Sequence, residues 1–82
     1  MSPEMALYYF HSRIGDFLAE DSEGAEMPSV DVARQEAAKI LAELVRDELP
    51  TTGVLPTVAV DVADLHRREL FSVEMRFAHE RQ

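Results

Sequence analysis

Hydrophobic and polar positions divide the chain into stretches of period two on either side of one stretch of helical period. Residues 6–12, ALYYFHS, hold three adjacent aromatics and alternate, with Leu7, Tyr9 and His11 on one face and Ala6, Tyr8, Phe10 and Ser12 on the other. Both faces are largely apolar, which predicts a central strand covered on both sides. Arg13-Ile14-Gly15-Asp16 reads as a hairpin turn in which Gly15 can take a positive φ, and Phe17-Leu18-Ala19 as a short second strand. A polar loop follows from Glu20 to Glu26 around Gly24, with Met27 packing beneath it.

From Val30 the period becomes helical. Ala33, Ala37, Ile40, Leu41, Leu44 and Val45 fall on one face, and Arg34, Glu36, Lys39, Glu43, Arg46 and Asp47 on the other. Ser29 is positioned as the N-cap, Asp31 lies in the first turn where the helix dipole favours an anion, and Pro50 is expected to stop the helix after Leu49. Residues 51–56 form a connector. Over residues 57–62, Val58, Val60 and Val62 alternate with Ala59 and Asp61, as in a strand with one buried face. Residues 64–68, DLHRR, make a polar turn. Phe71, Val73, Met75 and Phe77 then alternate with Leu70, Ser72, Glu74 and Arg76 along a last strand.

The expected order is β-β-α-β-β: an α+β domain over residues 6–77, with about four antiparallel strands and one long amphipathic helix packed on one face. Residues 1–5 are expected to form a loose tail and residues 78–82 a frayed end. Four strands spaced ~4.8 Å apart are about 19 Å wide, whereas a helix is about 10 Å across. One helix leaves much of such a sheet bare, so a homodimer is expected, with Tyr8, Tyr9 and Phe10 as its surface.

Composition narrows the function classes. The 82 residues (9.3 kDa) hold no cysteine, which excludes disulfides, thiolate metal sites and a cysteine nucleophile. Sixteen acids against eight Lys and Arg give a net charge of −8. That balance argues against direct nucleic-acid binding and against an anionic membrane surface. The surplus is concentrated in residues 16–26, where Asp16, Glu20, Asp21, Glu23 and Glu26 occur without a base. These five are the candidate contacts for a basic partner protein, and a solvated acidic turn is the plainer reading. No apolar run is long enough to span a membrane and the N-terminal segment lacks a basic signal region, so a cytoplasmic location is expected.

Candidate chemistry is sparse. His11, His66 and His79 show no metal-ligand spacing. His11 ends the aromatic strand and is either a ligand or base held by Asp16, or a half-buried histidine that caps a hairpin by hydrogen bonding. With Gly24 as the sixth position of an EF-hand loop, Ala19 and Val30 would occupy the two key ligand positions, which rejects that motif. An irregular cation site at Asp21, Glu23 and Glu26 is weaker than a solvated turn. The three scattered glycines make no phosphate loop, and no serine has a nucleophile context. His66-Arg67-Arg68 is a basic tip. The expectation is a chain with no cofactor, no metal and no enzyme activity.

The residues Tyr8-Tyr9-Phe10-His11, Asp16, Asp21, Gly24-Ala25-Glu26-Met27-Pro28 and Ala33-Arg34-Gln35-Glu36-Ala37 resemble a family of short alphaproteobacterial proteins of unknown function, of rhizobial type. Its pattern reads YFxH, D, EGxELPD, ARxEA, and the resemblance covers roughly residues 6–77. It implies that His11, Asp21, Gly24, Pro28 and Arg34 belong to one motif. Arg34, on the first helical turns, is itself expected to reach back to Asp21 or Glu23 and pin the loop to the helix. The family's Asp-Gly turn in the second hairpin is replaced here by Leu65-His66-Arg67-Arg68. The chain is more faintly similar to antitoxins of the HicB kind, though it lacks their DNA-binding tail. The leading expectation is a homodimeric interaction or regulatory module that acts by binding. The alternative is an antitoxin-like or nucleic-acid-mimicking inhibitor that uses the acidic 16–26 loop.

Overall fold

The computed structural model describes residues 5–52 and 57–76, with side chains for 5–47 and 57–76. Residues 1–4 of the expected tail at 1–5, the end at 78–82 and Phe77 lie outside the described residues. The elements are β1 (Ala6–Ile14), β2 (Phe17–Ala19), β3 (Ala25–Met27), α1 (Val30–Thr52), β4 (Val58–Ala63) and β5 (Glu69–Met75). The fold is α+β, with one helix against a five-stranded sheet in the order β2-β1-β4-β5 and β3 also paired to β1. Every pairing is antiparallel.

β1 is central, as its apolar faces predict. β4 lines one edge from Tyr9 to Ile14, while the other edge is shared by β3 opposite Ala6–Tyr8 and β2 opposite Ser12–Ile14. The β1–β2 turn is Gly15-Asp16, with Gly15 at φ 59°. β3 departs from the expected order, in which this segment was loop. Three residues are too short to show a period, and β3 exists because the loop before it returns to the edge of β1.

Alternation divides the sheet into two faces. Tyr8, Phe10, Val58, Val60 and Val62 pack with Ala33, Ala37 and Leu41 of α1 in the core, and Met27, Phe71 and Val73 pack around them. Ala33 and Ala37 are fully buried, and their small side chains let the helix axis lie close to the sheet. The Ser29 hydroxyl accepts the Val32 N–H at 3.2 Å, the expected N-cap.

Two expectations are corrected. The helix runs to Thr52, three residues past Leu49. Pro50 lies in its last turn, where the missing N–H removes a single backbone bond from a helix already long and well started. Tyr8, Tyr9 and Phe10 do not form an exposed dimer surface, because all three are buried within the chain. Tyr8 and Phe10 lie under the helix. Tyr9 lies on the helix-free face, where the Arg67 guanidinium sits 4.8 Å from its ring centre. This arginine, with φ 64°, takes the place of a second layer.

Candidate functional site

The strongest polar constellation centres on Asp21, in the gap between β2 and β3. Its Oδ2 accepts the Phe10 N–H at 3.1 Å, and its Oδ1 accepts the N–H groups of Glu23 and Gly24 at 3.1 and 3.0 Å. One carboxylate therefore takes the place of the missing strand beside Phe10 and turns the chain into β3. The Asp21 N–H donates to His11 Nδ1 at 3.0 Å. His11 is thus a half-buried hairpin cap whose Nδ1 accepts, and its partner is Asp21 instead of Asp16. Partial burial raises the Asp21 pKa, but the three amides outweigh it and hold the carboxyl below its ordinary range.

Gly24 serves this loop in two ways. Its φ is +75°, and a Cβ there would lie 3.0 Å from both Leu7 Cδ1 and the Tyr8 carbonyl oxygen. Arg34 does not reach Asp21 or Glu23. Its Nη1 pairs with Asp31 Oδ1 at 3.0 Å, and its guanidinium lies 5.4 Å from the Phe71 ring centre. Asp21 already has amide donors on both oxygens, so the loop is fixed without a cation.

A second polar band crosses the helix-free face. Arg13 grips Asp61 with two parallel bonds, Nε to Oδ2 at 2.7 Å and Nη2 to Oδ1 at 3.0 Å. The Arg13 hydrogen bonds are the main reason the Asp61 pKa is lowered, against a smaller rise from burial. Ser72 Oγ lies within hydrogen-bonding distance of Asp61 Oδ1 and of Glu69 Oε1, and its single proton is donated to one of the two at a time. Sequence reasoning missed Arg13, Asp61, Glu69 and Ser72. The signal was present in Asp61, a lone acid inside an alternating valine strand.

Between the two constellations is an open groove of about 320 Å³, lined by His11, Leu18, Glu20, Asp61, Arg67 and Glu69 among others. Of the five acids proposed as partner contacts, Glu20 lines this groove and Asp21 is committed to the loop. Asp16, Glu20, Glu23 and Glu26 are exposed. Pro28 precedes the N-cap, as expected for a residue that sets the start of the helix. In the second hairpin turn, Asp64 Oδ1 accepts the N–H groups of His66 and Arg68, both at 2.9 Å. The basic tip is therefore organised by an acid, and Arg67 is used against Tyr9. Among the described residues, no three His, Asp or Glu side chains converge to hold a metal ion. Among the same residues, no helix is long and apolar enough to cross a membrane.

No curated protein and no solved structure matches the chain. A family model matches residues 7–76, which includes every residue of both polar constellations, and the chain accordingly belongs to DUF6894, a domain family of unknown function.

Proposed function

We propose that this chain is a non-catalytic interaction module that works as a homodimer, joined along the edge of β5 that has no neighbouring strand among the described residues. The observation that carries this reading is the self-complementarity of that edge. Gly15 donates its N–H to the Thr57 carbonyl at 2.9 Å, continuing a ladder in which odd residues of β1 bond odd residues of β4. Even residues of β4 then bond Phe71, Val73 and Met75, which turns the backbone groups of Ser72 and Glu74 outward. Two copies of β5 laid antiparallel about a two-fold axis at Val73 set Phe71 opposite Met75, Val73 opposite Val73, and Ser72 opposite Glu74. No like charges face each other. Centring on Ser72 instead would set Glu69 against Met75 and Glu74 against Leu70.

A binding role is also supported by the helix-free face, whose polar groups are bonded to one another. His11 Nδ1 holds an amide, Arg13 holds Asp61, and the Ser72 hydroxyl serves carboxylates. The Ser72 hydroxyl does have carboxylates beside it, but Arg13 holds Asp61 with its pKa lowered, which makes that carboxylate a weak base. The acidic, cysteine-free composition favours a cytoplasmic setting.

Sedimentation equilibrium tests the assembly. The wild-type chain is expected at twice its 9.3 kDa mass, and Glu74→Pro, which removes an outward amide, is expected at the monomer mass with unchanged helix content. A wild-type chain that stays at the monomer mass at every concentration overturns the reading.

One observation favours a second reading. Asp16, Glu20, Glu23 and Glu26 take part in no ion pair among the described residues. They could bind a basic protein, as an antitoxin-like or nucleic-acid-mimicking inhibitor would. That complex is expected to weaken steeply with salt and to be lost when Glu20, Glu23 and Glu26 become glutamine.

A further inference from the structure

A different edge of the sheet carries an inference independent of self-association. β1 begins at Ala6, but its pairing with β4 starts only at Tyr9, opposite Ala63. Continued by one step, the register would set Leu7 opposite Leu65. The chain leaves the ladder before that point, because the Asp64 N–H donates to the Arg68 carbonyl and the Arg67 N–H to the Asp64 carbonyl, both at 2.9 Å, closing the turn. Odd residues of β1 point their backbone groups toward β4. The N–H and C=O of Leu7, and Met5 beyond it, therefore face an empty ladder position among the described residues.

That position is a groove of about 500 Å³ whose walls include Met5, Leu7, Leu65 and Leu70, with Glu26 and Asp64 at its sides. Met5, Leu65 and Leu70 are all exposed, so apolar surface is gathered around unpaired backbone. We infer that this groove binds an extended peptide segment of a partner protein, which adds a short strand to β1 at Leu7. The 64–68 turn ends the β1–β4 ladder beside the groove, which leaves a short stretch of β1 edge suited to one extended segment. Main-chain bonds to Leu7 would hold the segment, and the leucine walls would take an apolar side chain. His66 also lines the groove and Asp64 Oδ1 is engaged by the turn amides, so the exposed Glu26 carboxylate, on a chain of net charge −8, is what favours Lys or Arg beside that apolar residue.

The test is to pan random heptapeptides displayed on phage against the wild-type chain and against a Leu65→Glu, Leu70→Glu variant. Both substitutions are at exposed positions. Enriched peptides are expected to carry an apolar residue flanked by Lys or Arg, and to bind the variant at least about tenfold more weakly. In the wild-type chain, the synthetic form of an enriched peptide is expected to slow hydrogen exchange of the Leu7 amide by about tenfold or more. Methylating the peptide's central backbone nitrogen should abolish this protection. The inference is overturned if no peptide is enriched, if enriched peptides bind both chains equally, or if protection appears at Ser72 and Glu74 and not at Leu7. The Leu7 exchange measurement stands even if the variant fails to fold. None of these outcomes depends on whether the chain dimerises.

Discussion

The Asp21 amide donates to His11 Nδ1 at 3.0 Å, and the two residues lie ten apart in sequence across an interrupted strand edge. The aspartate is held by its own N–H while its carboxylate receives three others, so it acts as the pivot of the β2–β3 connection. Asp21→Ala is expected to lower stability by about 2–3 kcal/mol, because the part-buried Phe10 amide loses its acceptor and the loop loses two bonds. Asp21→Asn, which keeps an acceptor oxygen, is expected to cost about half as much. Urea denaturation of the three proteins checks the ranking, and equal stability of Asp21→Ala and the parent would remove Asp21 from its role.

Acid should act through the same groups. Asp21 and Asp61 have folded pKa values below the ordinary aspartate value, Asp21 because its amides outweigh burial and Asp61 chiefly because of Arg13. A lowered folded pKa contributes stability that is present above the unfolded value of about 4 and is lost as pH falls through the folded value. Urea midpoints are therefore expected to be flat in this respect above about pH 5 and to fall below about pH 4. The acid-side loss is expected to be smaller in Asp21→Asn, and an unchanged slope in that variant would contradict the assignment.

Gly24 and Gly15 both have positive φ, and at Gly24 a Cβ would also meet close neighbours. Gly15→Ala is expected to cost about 1 kcal/mol from backbone strain. Gly24→Ala is expected to cost about 2 kcal/mol or more, since the new Cβ also meets the Tyr8 carbonyl oxygen. Thermal or chemical unfolding of the two variants tests the order, and the reverse order would rule out the close approach.

Arg67 combines a strained backbone with a useful side chain. Arg67→Ala keeps the positive φ and uncovers Tyr9, so it is expected to be about 1 kcal/mol less stable. Arg67→Gly loses the same contact but relieves the strain, and is expected to lie within about 0.5 kcal/mol of the parent. Two variants of equal stability would show that the strain is absent.

Much of this fold was legible because long elements repeat their pattern. The valines of β4, the aromatics of β1 and the Ala33-Ala37-Leu41 stripe each point to one face, and the sheet and helix follow from them. What was not legible depended on single residues acting across sequence distance. β3 is three residues long and exists only because Asp21 occupies the gap before it. The expectation of a two-sided β1 was correct for Tyr9, yet its cover is Arg67, a side chain from a turn more than fifty residues away. Arg34 was drawn toward the acidic loop by charge alone, but a nearer acid at Asp31 and an aromatic at Phe71 take it instead. The Arg13–Asp61 pair required the register of β1 on β4, which spacing within either strand does not contain.

The central claim is that β5 of one copy pairs with β5 of another about Val73. The chain has no cysteine, so a single introduced one reports on a single position. Val73→Cys should form a disulfide-linked dimer under mild oxidation, because directly opposed residues of an antiparallel pair bring their Cβ atoms within about 4.5–5.5 Å, close to disulfide geometry. Leu18→Cys, at an exposed position on a different strand, serves as the comparator. Faster and more complete cross-linking at Val73 than at Leu18 is the predicted result. Cross-linking at Val73 no faster than at Leu18 would contradict the account.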